Sequence, residues 1–296
     1  MTDTVAATPA WFTKAIETPR KDCYVEVDGC PIHYLKWGDD DKPGLLFVHG
    51  NGAHAHWWDF IAPFFIDQYS VAAIDLSGMG DSGHRDEYVA NCYADELMAV
   101  IKDAGFGDDT IVVGHSMGGF MTLRTAAIYG EHLKGIVLVD SAIRPPDYEW
   151  KSAMPIRKKK VYPDFETAQQ RFRLMPPQPC ENQYILDYIA KHSITEVDGG
   201  WTWKFDDKFK SPFWKEKKRD DFKKIACRMG VINAENSSVV VPDVEEYMFQ
   251  MLDESVPFVS LPECHHHLFL DQPIAFVSSL KTMLAEWTHS KPNRGR

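Results

Sequence analysis

Apolar positions in this chain cluster into short dense blocks, separated by longer stretches of mixed polarity. Gly44-Leu45-Leu46-Phe47-Val48, Val71-Ala72-Ala73-Ile74, Ile111-Val112-Val113, Gly135-Ile136-Val137-Leu138-Val139 and Met229-Gly230-Val231-Ile232 are near-continuous apolar runs, as expected of strands buried on both faces. Residues 256–261 predict a last strand. Ahead of these runs, residues 24–27 and 32–37 alternate with polar positions around Asp28-Gly29, the pattern of a hairpin. Between the runs, residues 87–104 have helical spacing, with Leu97, Val100 and Ile101 on one side and Gly105 as the stop. Residues 117–129, 242–252 and 272–287 also predict helices, and the aromatic-rich stretch 56–65 predicts the first one. Alternating strands and helices of this kind predict an α/β fold, a mostly parallel central β-sheet flanked by helices.

The rhythm stops at Arg144-Pro145-Pro146. From there to Asp220 no buried-strand run occurs, residues 165–174 and 183–191 have helical spacing, and aromatics are frequent, among them Trp150, Phe172, Trp201, Trp203, Phe213 and Trp214. This stretch carries 16 Lys/Arg against 12 Asp/Glu, whereas the whole chain has 32 against 43 and a formal net charge of −11. The shift in composition predicts a mostly helical cap at 144–220, inserted into a core made of 1–143 and 221–296. The basic run Arg157-Lys158-Lys159-Lys160 reads as a solvated face, and the tail from Lys291 as frayed.

With 296 residues, 44% of them hydrophobic, the chain has enough apolar material for one sizeable core. No apolar run approaches the ~20 residues that span a bilayer. Residues 1–17 have no basic start followed by an apolar stretch, so no secretory leader is expected. The six cysteines lack Cys-x-x-Cys spacing, which predicts reduced thiols and a cytoplasmic location. The negative charge argues against nucleic acid as a partner; the expected partner is a small molecule.

Chemistry enters at Gly114-His115-Ser116-Met117-Gly118. A β-branched run feeds this Gly-X-Ser-X-Gly turn and an apolar helix follows, the context in which a serine is held exposed on a strained strand-to-helix turn. A serine alcohol needs a base to become a nucleophile, and a histidine titrates in the right range. Three adjacent candidates are His265, His266 and His267. Neighbouring residues on a turn do not converge easily on one ion, so no metal is expected, and no cofactor.

Three further segments occur in a fixed order with this turn: His49-Gly50-Asn51-Gly52, Asp75-Leu76-Ser77-Gly78-Met79-Gly80-Asp81-Ser82, and His265-His266-His267-Leu268-Phe269-Leu270-Asp271-Gln272-Pro273. Together they resemble the α/β-hydrolase fold superfamily over residues 20–143 and 222–288. The resemblance implies Ser116 as nucleophile, His266 as the base, and an oxyanion hole from the backbone N–H groups of Asn51 and Met117. Relatives often carry the acid in a Gly-x-x-Asp after the strand that follows the cap; here Ala234-Glu235-Asn236-Ser237 puts Ser237 in its place. Asp140, at the end of the preceding strand, is the favoured acid, a position some relatives use, and Glu235 is the alternative. His54, Trp57, Trp58, Arg144, Trp201 and Trp203 are candidate pocket residues. The implied activity is hydrolysis of a carboxylic ester or related acyl bond. Rival readings are a carbon–carbon bond hydrolase, a cofactor-independent oxygenase, and a low-turnover binding protein. Epoxide-hydrolase chemistry is disfavoured because those relatives carry Asp at the position of Ser116.

Overall fold

The computed structural model describes residues 8–145, 148, 159–209 and 218–289. Trp150, Phe213, Trp214, the Arg157-Lys158 half of the basic run and the tail from Lys291 lie outside the described residues. The elements run α1 Ala10–Ile16, β1 Lys21–Val27, β2 Cys30–Trp37, β3 Gly44–Val48, β4 Ser70–Ile74, α2 Ala90–Asp103, β5 Ile111–His115, α3 Met117–Tyr129 and β6 Gly135–Val139. Then come α4 Phe165–Gln169, α5 Gln183–His192, β7 Ile194–Val197, β8 Gly200–Trp203, α6 Lys218–Phe222, β9 Arg228–Ala234, α7 Pro242–Met251, β10 Phe258–Leu261, α8 Leu268–Asp271 and α9 Pro273–His289.

Eight strands form one sheet in the order β1-β2-β4-β3-β5-β6-β9-β10. The β1/β2 and β2/β4 pairs are antiparallel, and every later pair is parallel. β3, β4, β5 and β6 bury every residue, which explains their unbroken apolar character. Successive side chains go to opposite layers. Phe47, Ala73, Val113 and Val137 pack with Trp58, Phe269 and Phe276 on one face, while Leu46, Ala72, Val112 and Ile136 pack with Tyr93, Leu97 and Leu123 on the other. Each fully buried Leu, Ile or Val contributes about 1.5–3 kcal/mol. The carboxyl ends of the parallel strands therefore share one edge, where an open α/β sheet presents its ligand crevice.

Three elements differ from expectation. Residues 56–65 form no α-helix; they make two 3₁₀ turns, Ala55–Trp58 and Ala62–Phe65, because Pro63 lacks the N–H that a continuous helix needs. The helix expected over 165–174 stops at Gln169. Asp164 caps its start by accepting from the Thr167 N–H at 2.7 Å. After Gln170 the chain opens toward Pro176-Pro177, which cannot donate to a helix. The 144–220 stretch also holds a β-hairpin, β7 with β8. Its turn is Asp198-Gly199, with Gly199 at φ +86°, so the Asp-Gly signal flanked by Thr, Val and Trp was present in the sequence.

Candidate active site

Ser116 sits between β5 and α3 with φ 54° and ψ −118°, a backbone conformation that costs energy for any residue with a Cβ. The surroundings enforce it. A methyl group on Gly114 would drive into Thr122 and the Gly118 backbone, and one on Gly118 into the carbonyls of Val48 and His49. The Ser116 N–H is held by the Val139 carbonyl at 2.9 Å. The strand thus ends with its serine side chain held at the sheet's edge.

His266, in the loop after β10, places Nε2 2.9 Å from Ser116 Oγ. Its Nδ1–H donates to Asp140 Oδ2 at 2.6 Å. Asp140 ends β6 with φ 43° and is fully buried; its Oδ1 accepts from the Ala234 N–H at 3.0 Å. Glu235 is not brought into this group. It is exposed and accepts from the Glu263 N–H at 2.8 Å. Met117 opens α3, so its N–H belongs to the donors that a helix's first turn leaves unpaired. Asn51 lies on the facing turn.

A cavity of about 530 Å³ opens over these groups. Gly50, Asn51, Trp57, His115, Ser116, Phe120, Arg144, Phe172, Leu174, Met175, His266 and His267 are among its walls. Of the expected pocket residues, Trp57 and Arg144 line it. Four others do not. His54 turns away, its Nε2 2.8 Å from Ser193 Oγ. Trp58 is fully buried between Phe47 and Phe269, stacked on both at 4.8 and 4.5 Å. Trp201 packs edge-on against Phe165, and Trp203 against Tyr162 and Phe172. These aromatics serve packing: a large ring is held best where it loses most water-exposed area.

The model of the alpha/beta hydrolase family matches residues 45–279. The chain is an α/β hydrolase. It is 35% identical over 117 residues to epoxide hydrolase 1 of Caenorhabditis elegans, a match covering 38% of this chain and 29% of that protein. It is 22% identical over 278 residues to the 2-hydroxy-6-oxo-6-(2'-aminophenyl)hexa-2,4-dienoic acid hydrolase of Metapseudomonas resinovorans, covering 88% and 90% of the two chains. Among solved structures, the thioesterase domain from the curacin biosynthetic pathway aligns with a TM-score of 0.74 and 21% identity, over 89% of this chain and all of that one. The chain spans about a third of the length of the first epoxide hydrolases it matches.

Around its candidate triad the hydrolase carries positioning contacts that composition and spacing did not single out. His115, the X before the serine, donates from Nε2 to the His266 carbonyl at 2.9 Å. Gln178 accepts from the His267 N–H at 2.8 Å and from its Nδ1–H at 2.7 Å. The same Gln178 donates to both Asp271 oxygens, and Asp271 also accepts from the His265 N–H at 2.8 Å. His115 and His267 are held neutral, their pKa values pushed well down by burial and then by the neighbouring His266. His49 accepts the Leu76 N–H at Nε2, 3.0 Å, so its Nδ1–H donates to the Gly50 carbonyl at 2.7 Å. It thereby joins the Asn51 turn to the Asp75 loop.

Asp75 organises that loop, accepting from His33 Nδ1–H at 2.7 Å and from the N–H groups of Ala55 and Asp81. Gly80 is required there because a Cβ would strike the Asp75 carboxylate. Burial alone would raise Asp75; the His33 hydrogen bond and charge outweigh it and hold the carboxyl well below the usual range. Burial likewise would lower His33, but Asp75 raises it. The sign follows. The Asp75 contribution is present above the ordinary carboxylate range and lost in acid, and the His33 contribution is present below pH 6.5 and lost as pH rises through its raised value. A His33→Gln variant should therefore be about 1.5–3 kcal/mol less stable near pH 6. The gap should close at alkaline pH, as read by urea unfolding across pH 5–9; a pH-independent gap would contradict the linkage.

His56, Asp59 and the half-buried His192 form a further cluster of ligand-type side chains among the described residues. Asp59 is already engaged by His56 Nδ1–H at 2.7 Å and the Tyr188 hydroxyl at 2.5 Å, with the Arg20 guanidinium 3.6 Å away. The His56 and His192 rings stack face to face at 4.1 Å.

Proposed function

We propose that this hydrolase cleaves a carboxylic ester, or a related acyl bond, of a small and largely apolar molecule through an acyl-enzyme on Ser116, His266 and Asp140. The observation that carries the reading is the continuous relay under the cavity: Ser116 Oγ to His266 Nε2 at 2.9 Å, and His266 Nδ1 to Asp140 Oδ2 at 2.6 Å. In the first step Ser116 Oγ adds to the substrate carbonyl carbon while its proton passes to His266 Nε2. The oxyanion meets the N–H groups of Met117 and Asn51, each such donor being worth roughly 3–4 kcal/mol in the transition state. Collapse breaks the acyl–oxygen bond, and His266 returns its proton to the departing alcohol. Water, deprotonated by His266, then releases the acid. Asp140 holds the Nδ1–H tautomer and balances the imidazolium.

The segment 144–220 acts in this reading as a cap, because Phe172, Leu174 and Met175 close the cavity from that side. Trp57 is assigned to substrate contact in this reading because it is one of the cavity's walls together with Ser116 and His266. Six unpaired cysteines fit a reducing, cytoplasmic setting. A second reading, carbon–carbon bond hydrolysis, is favoured by the near full-length match to the Metapseudomonas enzyme. Turnover of p-nitrophenyl esters of graded chain length, with fluorophosphonate capture of Ser116, tests the first reading. Absence of ester turnover and of labelling would overturn it.

Arg144 and Arg173 line the cavity. The Arg144 guanidinium lies 5.4 Å from the Tyr148 ring. We assign Arg144 to a single carboxylate carried by the otherwise apolar substrate, the guanidinium being suited to that group. Arg144→Leu should raise KM roughly 10-fold for an ester bearing a carboxylate and leave a neutral ester of equal size nearly unchanged. Equal effects on both would remove the assignment.

A further inference from the structure

We propose that Ser237 is a positioning residue for the His266–Asp140 pair, donating its hydroxyl proton to the same carboxylate oxygen that receives His266 Nδ1–H. The inference rests on the acyl-transfer reading above. Ser237 Oγ lies 2.6 Å from Asp140 Oδ2. It also accepts the N–H groups of Val239 at 3.0 Å and Val240 at 2.9 Å. A hydroxyl has two acceptor positions and one proton. With both acceptor positions filled by fixed backbone donors, the proton is left to point at Asp140.

This contact has a structural logic. Asp140 reaches the histidine from the end of β6, with its backbone at φ 43°, and not from the loop after β9. Its carboxylate is tied across twice, by the Ala234 N–H at the end of β9 on Oδ1 and by Ser237 in the following loop on Oδ2. The serine standing where relatives often carry the acid thus steadies an acid that comes from the next strand. Its O–H also draws charge from Oδ2, which moderates how strongly the pair holds the imidazolium proton. Among the described residues, the other groups around the pair are Ser116, the rings of His115 and His267, at 4.7 and 4.8 Å from His266, and the Cys264 thiol near Asp140, which burial pushes up to about 12. Both histidines stay neutral, and Arg144 on the cavity wall stays cationic, so an activity profile reports the His266–Asp140 pair.

The test is kcat/KM against pH for wild type, Ser237→Ala, Ser237→Asp and Ser237→Asn, with Asp140→Asn as reference. Ser237→Ala should move the acidic limb upward by roughly 0.5 unit or more and lower kcat several-fold with little change in KM. Ser237→Asp keeps an oxygen for Val239 and Val240 but sets a second carboxylate against Asp140, and should move the limb up by about 1 unit or more. Ser237→Asn keeps both an acceptor and a donor and should stay near wild type. If Ser237 only shaped the turn, the Asp variant would match wild type and the Ala variant would change KM alone; either result overturns the inference. Should Ser237→Ala fail to fold, the Asp and Asn variants decide. An Asp140→Asn enzyme as active as wild type would refute the triad itself. An inactive one beside unmoved Ser237 limbs would refute only the role of Ser237.

Discussion

Ser116→Ala is expected to reduce ester turnover more than about a thousandfold while leaving the fold intact. The loss is large because the oxygen removed is the atom that would bond to the acyl carbon; among the described residues no other hydroxyl is paired with His266 Nε2. The fold should survive because the elbow is held by other groups. Its shape comes from the close approaches at Gly114 and Gly118 and from the Val139 carbonyl. Among the described residues the Oγ is bonded to His266 alone. Removing a β-substituent from a residue at φ 54° leaves the backbone strain nearly unchanged, since alanine keeps the Cβ. A residual rate is expected from the N–H groups of Asn51 and Met117 and from substrate binding, which act without the nucleophile. Two measurements check this: p-nitrophenyl ester kinetics, and labelling by a fluorophosphonate, which should disappear in the variant. Retained turnover together with retained labelling would move the nucleophile elsewhere.

The sheet was legible in the sequence because burial on both faces leaves no room for polar residues, so β3 to β6 announce themselves as apolar runs. What the one-dimensional pattern cannot carry is the direction in which a side chain leaves a turn. Trp57 and Trp58 are adjacent and chemically alike, yet one faces the cavity and the other stacks between Phe47 and Phe269. A 3₁₀ turn rotates successive residues by a third of a circle, and only the packing of α8 and α9 decides which ring goes inward. His54 shows the same limit, since its partner Ser193 lies 139 positions away. Gln178 is a third case. Nothing local marks a glutamine between prolines as the residue that ties the histidine loop to the 144–220 stretch. Ser237 did leave a signal, as a departure from a pattern; its meaning appears only when β6 and β9 lie side by side.

Asp140→Asn should cost about 10⁴-fold in kcat, whereas Glu235→Gln should leave it within about twofold. The difference follows from what each carboxylate touches. An amide at position 140 still offers an oxygen to the Ala234 N–H, now 3.0 Å from Oδ1. Its NH₂ group then faces His266 Nδ1, where the carboxylate oxygen sits at 2.6 Å. A donor there forces the proton of the neutral imidazole onto Nε2, so Nε2 meets Ser116 with an N–H and cannot take the serine proton. The imidazolium that forms during attack also loses its buried counter-charge. Glu235 makes neither contact, its carboxylate being spent on the Glu263 N–H at the surface. Stability should separate the two less than activity does, because both amides keep an accepting oxygen for their backbone donors. Kinetics on both variants, with circular dichroism to confirm folding, make the comparison. A greater loss in Glu235→Gln than in Asp140→Asn would transfer the acid's role to the loop after β9 and leave the His266–Asp140 contact as a purely structural tie.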